Sequence, residues 1–197
     1  MKDRLDWADI VAIGPGFGLN DDTIGFMERF LDICQIPMII DADGIKCAAP
    51  FKDKLIKSNH PVVITPHPGE LAYFLEIKLE KILESYFHTT LDAAKKHAIT
   101  VHLKVHRSVT SNPDGRATIN ITGNSGMASA GSGDVLTGII AGLLAQGADA
   151  YDATRLGAFL HGLAGDMAAR ELSEYSMIAG DITRFLPNAI MRVVCGE

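Results

Sequence analysis

Short runs of uninterrupted apolar residues, each closing on a turn rich in glycine, proline or aspartate, recur along the first half of the chain. Residues 9–13 end in Gly14-Pro15-Gly16-Phe17-Gly18, residues 37–40 in Asp41-Ala42-Asp43-Gly44, and residues 62–65 in Pro66-His67-Pro68-Gly69-Glu70. A strand that is apolar at every position is buried on both faces, which predicts a parallel sheet with helices packed on each side. Between the first two runs, Ile24, Met27, Phe30 and Leu31 fall on one face at helical spacing, so residues 23–33 predict an amphipathic helix.

Farther along, residues 80–97 have helical composition, and residues 99–104 alternate Ile99, Val101 and Leu103 with polar neighbours, predicting a fourth strand. Asn112-Pro113-Asp114-Gly115 is a strong turn signal and predicts a hairpin of residues 107–111 with 116–121. Residues 134–146 and 151–172 predict two apolar helices broken at Gly147. A last helix over about 178–194 carries Pro187, which should end or kink it. The pattern predicts an α/β protein of three layers, helix, mostly parallel sheet, helix, with residues 1–197 forming one domain. Ligands of such sheets bind beyond the carboxyl ends of the strands, where the three loaded turns fall.

Composition narrows the classes of partner. The net charge of −6 comes with Lys and Arg scattered along the chain, which gives no basic footprint for nucleic acid or an anionic membrane. No apolar run approaches the roughly 20 residues of a membrane span, and the first residues hold no apolar leader core, so the cytoplasm is the expected compartment. Cys34, Cys47 and Cys195 stand apart without CxxC spacing, so they predict small buried side chains, with neither disulfide nor zinc. His102 and His106 are four apart, but an extended strand would separate them by about 13 Å, and surface positions are expected for both.

The chemistry concentrates in Gly123-Asn124-Ser125-Gly126-Met127-Ala128-Ser129-Ala130-Gly131-Ser132-Gly133-Asp134, which runs directly into an apolar helix. Its glycines let backbone amides approach an anion, and the helix adds the positive end of its dipole. Asp134 would stand beside that anion, where a carboxylate takes the proton of an attacking hydroxyl; the alternative is a helix cap. His67 and Glu70 lie in a proline-stiffened loop, with Glu70 at the start of a helix carrying Leu71, Phe74 and Leu75. Two roles stand open for each of the next two residues: Glu70 serves a ligand or complements the helix dipole, and Lys104 reaches a phosphate or is solvated. The Gly14–Gly18 turn is neither a dinucleotide fingerprint nor a P-loop.

Taken together, Ile13-Gly14-Pro15-Gly16-Phe17-Gly18, Asp41-Ala42-Asp43-Gly44, Thr65-Pro66-His67-Pro68-Gly69-Glu70 and the loop from Gly123 to Asp134 resemble the ADP-dependent NAD(P)H-hydrate dehydratases, in that family's order and over nearly the whole chain. The resemblance implies a ribokinase-like fold, here without the family's usual N-terminal portion. It implies a repair reaction in which the hydroxyl of hydrated NADH or NADPH is phosphorylated and phosphate is then eliminated, with ADP or ATP and Mg²⁺. Asp134 would be the base, and the amides of Ala130, Gly131, Ser132 and Gly133 would hold the phosphoryl group. Gly16, Gly18 and His67 would contact the hydrate together with Asp134, and Glu70 would organise Mg²⁺. Lys104, Val105, His106, Arg107 and Ser108, with Gly133, would hold the adenine nucleotide, although the family's usual Lys-Gly is Lys104-Val105 here. Asp41 and Asp43 rank lower. A homo-oligomer is implied as well. Two other readings stand beside this one: a kinase for a vitamin precursor or sugar, and a non-catalytic nucleotide-binding remnant.

Overall fold

A computed structural model describes residues 2–196. A short helix α1 (Lys2–Leu5) precedes β1 (Val11–Ile13), α2 (Asp21–Ile33), β2 (Met38–Ile40), α3 (Asp43–Ala48), α4 (Lys52–Ile56) and β3 (Val62–Ile64). Then follow α5 (Pro68–Leu75), α6 (Leu79–Glu84), α7 (Tyr86–His97), β4 (Thr100–Leu103), β5 (Val109–Ser111) and β6 (Ala117–Ile119). Three helices complete the chain: α8 (Ser132–Ala145), α9 (Ala150–Leu172) and α10 (Ala179–Cys195).

The six strands form one sheet in chain order. β1 to β4 pair in parallel, with Val11 beside Met38, Met38 beside Val62 and Val63 beside Thr100. β4, β5 and β6 pair antiparallel, with His102 opposite Thr110 and Thr110 opposite Thr118. Alternation along each strand explains why the runs had to be apolar throughout. Met38, Ile40, Val62, Ile64, Val101 and Leu103 face a core built with α2 to α7, while Ile39 and Val63 point the other way against Leu136, Ile140 and Ala158 of α8 and α9. α10 lies over α9, joined by Leu160, Ala164, Ala168, Ile182 and Ala189. The three predicted layers are therefore present.

Several expectations are corrected. β1 lies at the sheet edge and leaves Ala12 exposed, because it has a neighbour on one side only. The helix expected over 80–97 is two, since Ser85 leaves helical backbone at φ −146°, ψ 47° and separates α6 from α7. Pro187 does not end α10: it removes one amide bond, but Ile182 and Ala189 anchor both halves against α9. Cys34 and Cys47 are buried as expected, whereas Cys195 is exposed at the end of α10. His106 is exposed, but His102 is buried, because the antiparallel partner strand sets Thr110 opposite it and their side chains bond at 2.9 Å.

Candidate active site

The loops that leave β1 to β4 are tied to one another. The Asp41 amide donates to the carbonyl of Ile13, the Thr65 amide to Ile40, and the Lys104 amide to Pro66 at 2.8 Å. Gly14 and Gly44 meet back to back: a Cβ on Gly14 would lie 2.0 Å from the Asp41 carbonyl oxygen and 2.8 Å from the Gly44 Cα, and Gly14 also has φ +120°. The Gly18 amide donates to Asp43 at 3.1 Å, which fixes the glycine turn against the Asp41–Gly44 loop. Gly16 and Gly18 are exposed on the outside of that turn.

The start of α8 faces the same edge. Gly131 adopts φ +86°, a backbone few other residues accept, and turns the chain into the helix without a side-chain cap. Ser132 is buried, and its amide donates to Ser129. The amides of Gly133 and Asp134 meet no acceptor among the described residues, so the helix presents two free donors together with its positive dipole end. Asp134 is exposed beside them and makes no side-chain hydrogen bond or ion pair with the described residues, which leaves its carboxylate available as an acceptor. Asp166 of α9 holds the approach to this turn, accepting from the Gly123 amide and from Asn124 Nδ2, both at 3.0 Å.

Beneath the turn sits a polar cluster. Asp41 is 1% exposed and accepts from Lys104 Nζ at 2.7 Å, the Ala42 amide at 2.8 Å and Thr137 Oγ1 at 2.9 Å. His161 Nε2 lies 3.0 Å from the Ser132 carbonyl, to which it donates, and fastens α9 to the first turn of α8. Burial pushes His161 down to about 4, against the Ser132 carbonyl that favours its proton, and burial with the Lys104 cation pushes His102 down to about 3. Both imidazoles are therefore neutral in the folded chain at physiological pH. The unfolded chain binds protons at these positions below 6.5, so the stabilisation is complete above that pH and is lost as pH falls toward 4 and then 3. Unfolding free energy from denaturant titration should fall by about 1.4 kcal/mol per histidine by pH 5.5. His161→Gln, which keeps a donor for Ser132, should remove about half of this shared drop; an unaltered pH slope in that variant would refute the assignment.

His67 and Glu70 bond to each other at the start of α5. His67 caps α5, its Nδ1 accepting from the amides of Gly69 and Glu70, while Glu70 Oε2 accepts from the His67 amide at 2.8 Å. The Glu70 carboxylate is buried and turned toward His67, whose ring is about half exposed. Among the described residues no group of three His, Cys, Asp or Glu side chains is arranged to hold a metal ion. In the stretch after β4, Val105 packs into the core, His106 and Arg107 are exposed, and the Ser108 carbonyl accepts from Asn120. Lys104 is tied to Asp41 instead of being solvated. Thr137, His161 and Asp166 were not anticipated. The signal available was a polar residue on the buried face of an otherwise apolar helix.

The family model described as NAD(P)H-hydrate dehydratase matches residues 1–188. A bifunctional NAD(P)H-hydrate repair enzyme of Moorella thermoacetica is 44% identical over 95% of this chain, which spans 35% of that relative. An ADP-dependent (S)-NAD(P)H-hydrate dehydratase of Neisseria meningitidis serogroup B is 31% identical over 95% of the chain and 69% of its own length. Among solved structures, an ADP/ATP-dependent NAD(P)H-hydrate dehydratase of Bacillus subtilis, co-crystallised with ATP/Mg²⁺, superposes with a TM-score of 0.83 at 27% identity, covering 93% of this chain and 64% of that one. Arabidopsis thaliana ribokinase, at 15% identity, 94% and 58% coverage and a TM-score of 0.57, shares the fold alone. The layered sheet is thus ribokinase-like, and the chain belongs to the NAD(P)H-hydrate dehydratase family.

Proposed function

We propose that the chain acts, as one domain, in the dehydration of NAD(P)H hydrate at the expense of an adenine nucleotide, ADP or ATP. The observation that carries this reading is the pair of free amides at the start of α8 beside the exposed Asp134 carboxylate, with the Lys104 ammonium beneath Gly133. Those amides, with the ones of Ala130 and Gly131, are read as the cradle of the transferred phosphoryl group, whereas the Ser132 amide, expected there as well, is already taken by the Ser129 carbonyl. Asp134 takes the proton of the hydrate's hydroxyl as its oxygen bonds to phosphorus and the bond to the nucleotide breaks. The carbon–oxygen bond to phosphate then breaks as the adjacent ring carbon gives up a proton to solvent, so that phosphate leaves and the ring double bond returns.

In the same reading Gly16, Gly18 and His67 line the nicotinamide side of the cleft, and the loop from Lys104 to Ser108 lines the nucleotide side. Mg²⁺, when bound, neutralises charge on the nucleotide's phosphates. A magnesium ion keeps much of its water and takes one or two carboxylates, so the single buried carboxylate of Glu70 suits a role through water. No helix of the described residues is long and apolar enough to cross a membrane, and the cytoplasm and a homo-oligomeric state complete the reading.

The test is to incubate the hydrate with the chain, ADP and Mg²⁺, and to follow the near-ultraviolet absorbance of the reduced nicotinamide together with released phosphate. Both should rise in step. Absorbance that never recovers would reject the dehydratase reading, and phosphate retained on an organic product would assign a kinase instead.

A further inference from the structure

From the floor of the anion site we infer that Asp41 is an internal counter-ion that competes with the nucleotide's phosphate for the Lys104 ammonium, and so lowers the affinity for nucleotide. The inference rests on the proposed placement of the nucleotide above α8.

Three observations carry it. A Cβ built on Gly133 would lie 3.4 Å from Lys104 Nζ and 3.7 Å from Asp41 Oδ2, so the ion pair sits directly under the first turn of α8. The Asp41 carboxylate is sealed from solvent but does not depend on the lysine alone. When Lys104 leaves, the Ala42 amide at 2.8 Å and the Thr137 hydroxyl at 2.9 Å remain on its oxygens. The Lys104 side chain, by contrast, is 25% exposed and therefore has a path into the cleft.

The backbone adds a fourth point. Ala42, whose amide serves the carboxylate, holds φ +50° and ψ −130°, a conformation that alanine adopts only under constraint. The carboxylate is thus held in place by its own loop, independently of the lysine. The neighbouring imidazoles of His102 and His161 are neutral and engaged with Thr110 and Ser132, so neither supplies the carboxylate with a second cation.

An ion pair with a purely structural role predicts that removing Asp41 weakens or leaves unchanged every property of the site. Competition predicts the opposite sign for one property, because an ammonium released from its partner is free to turn to an incoming phosphate.

The experiment is calorimetric titration of ADP with Mg²⁺ into the full chain and its variants, each shown to be folded by circular dichroism. Asp41→Asn should bind ADP about fivefold more tightly than the unaltered chain, and the gain should vanish when Lys104→Met is added. Thr137→Val, nearly unchanged in volume, withdraws one donor from the carboxylate, strengthens its hold on Lys104 and should weaken ADP binding about twofold. Equal or weaker binding by folded Asp41→Asn overturns the inference, as does a gain that survives in the double variant. If Asp41→Asn does not fold, the sign of the Thr137→Val effect decides, with unchanged or tighter binding counting against competition. Absence of ADP binding by the unaltered chain would reject the nucleotide placement itself, whereas binding indifferent to Asp41 would reject only the counter-ion.

Discussion

Asp134→Asn should lower the rate of hydrate dehydration by about a thousandfold while leaving ADP binding within about twofold of the unaltered chain. The amide keeps the shape of the side chain and removes its ability to accept a proton. The free amides of Gly133 and Asp134 that would hold the phosphoryl group are backbone groups, so they survive the substitution. If Asp134 served only the helix, the same change would appear as about 0.3–1 kcal/mol of lost stability with turnover nearly intact. Rate and unfolding midpoint measured on one preparation separate the two roles, and a loss of turnover below about tenfold would exclude general-base chemistry at this position.

Gly14→Ala should destabilise the fold by about 3 kcal/mol, since a side chain there combines an unfavourable backbone angle with overpacking. The new Cβ would meet the Asp41 carbonyl and the Gly44 backbone, and neither can withdraw, because the Asp41 amide is bonded to Ile13 in the line of the sheet. Gly16→Ala is the control: its φ of +72° carries the backbone penalty, but nothing lies within 4 Å of the added carbon. Denaturant midpoints should therefore fall much further for position 14 than for position 16. Similar losses at both would show that the Gly14–Gly44 contact relaxes easily.

How much was legible in advance depended on whether the cause was local. The doubly buried strands could be read because every position of residues 38–40 and 62–64 must be apolar when both faces are covered. The turn at 112–115 could be read because Asn, Pro, Asp and Gly each favour it, and Asn112 does accept the Arg116 amide. The glycine loop before α8 declared itself by composition. The burial of His102 could not be read, because its partner Thr110 lies on the next strand and is opposite only once the hairpin forms. The attachment of Lys104 to Asp41 was hidden for a similar reason, since it joins the ends of two strands that are not neighbours. Asp41 itself was visible as a carboxylate closing an apolar strand, but its three donors come from three different segments.

The order of the strands also bears on how the chain reaches this structure. Val11 finds Met38, and Val63 finds Thr100, only after long intervening segments have been drawn in, whereas Val109 and Ile119 are joined by one tight turn. Parallel pairings return free energy late, after the entropy of closing each loop has been spent. The hairpin can therefore assemble early, while the strands that carry the loops of the candidate site wait for their helices. During that interval Met38 to Ile40 and Val62 to Ile64 are exposed apolar ribbons, so refolding yield should be limited by protein concentration and not by the final stability of the sheet.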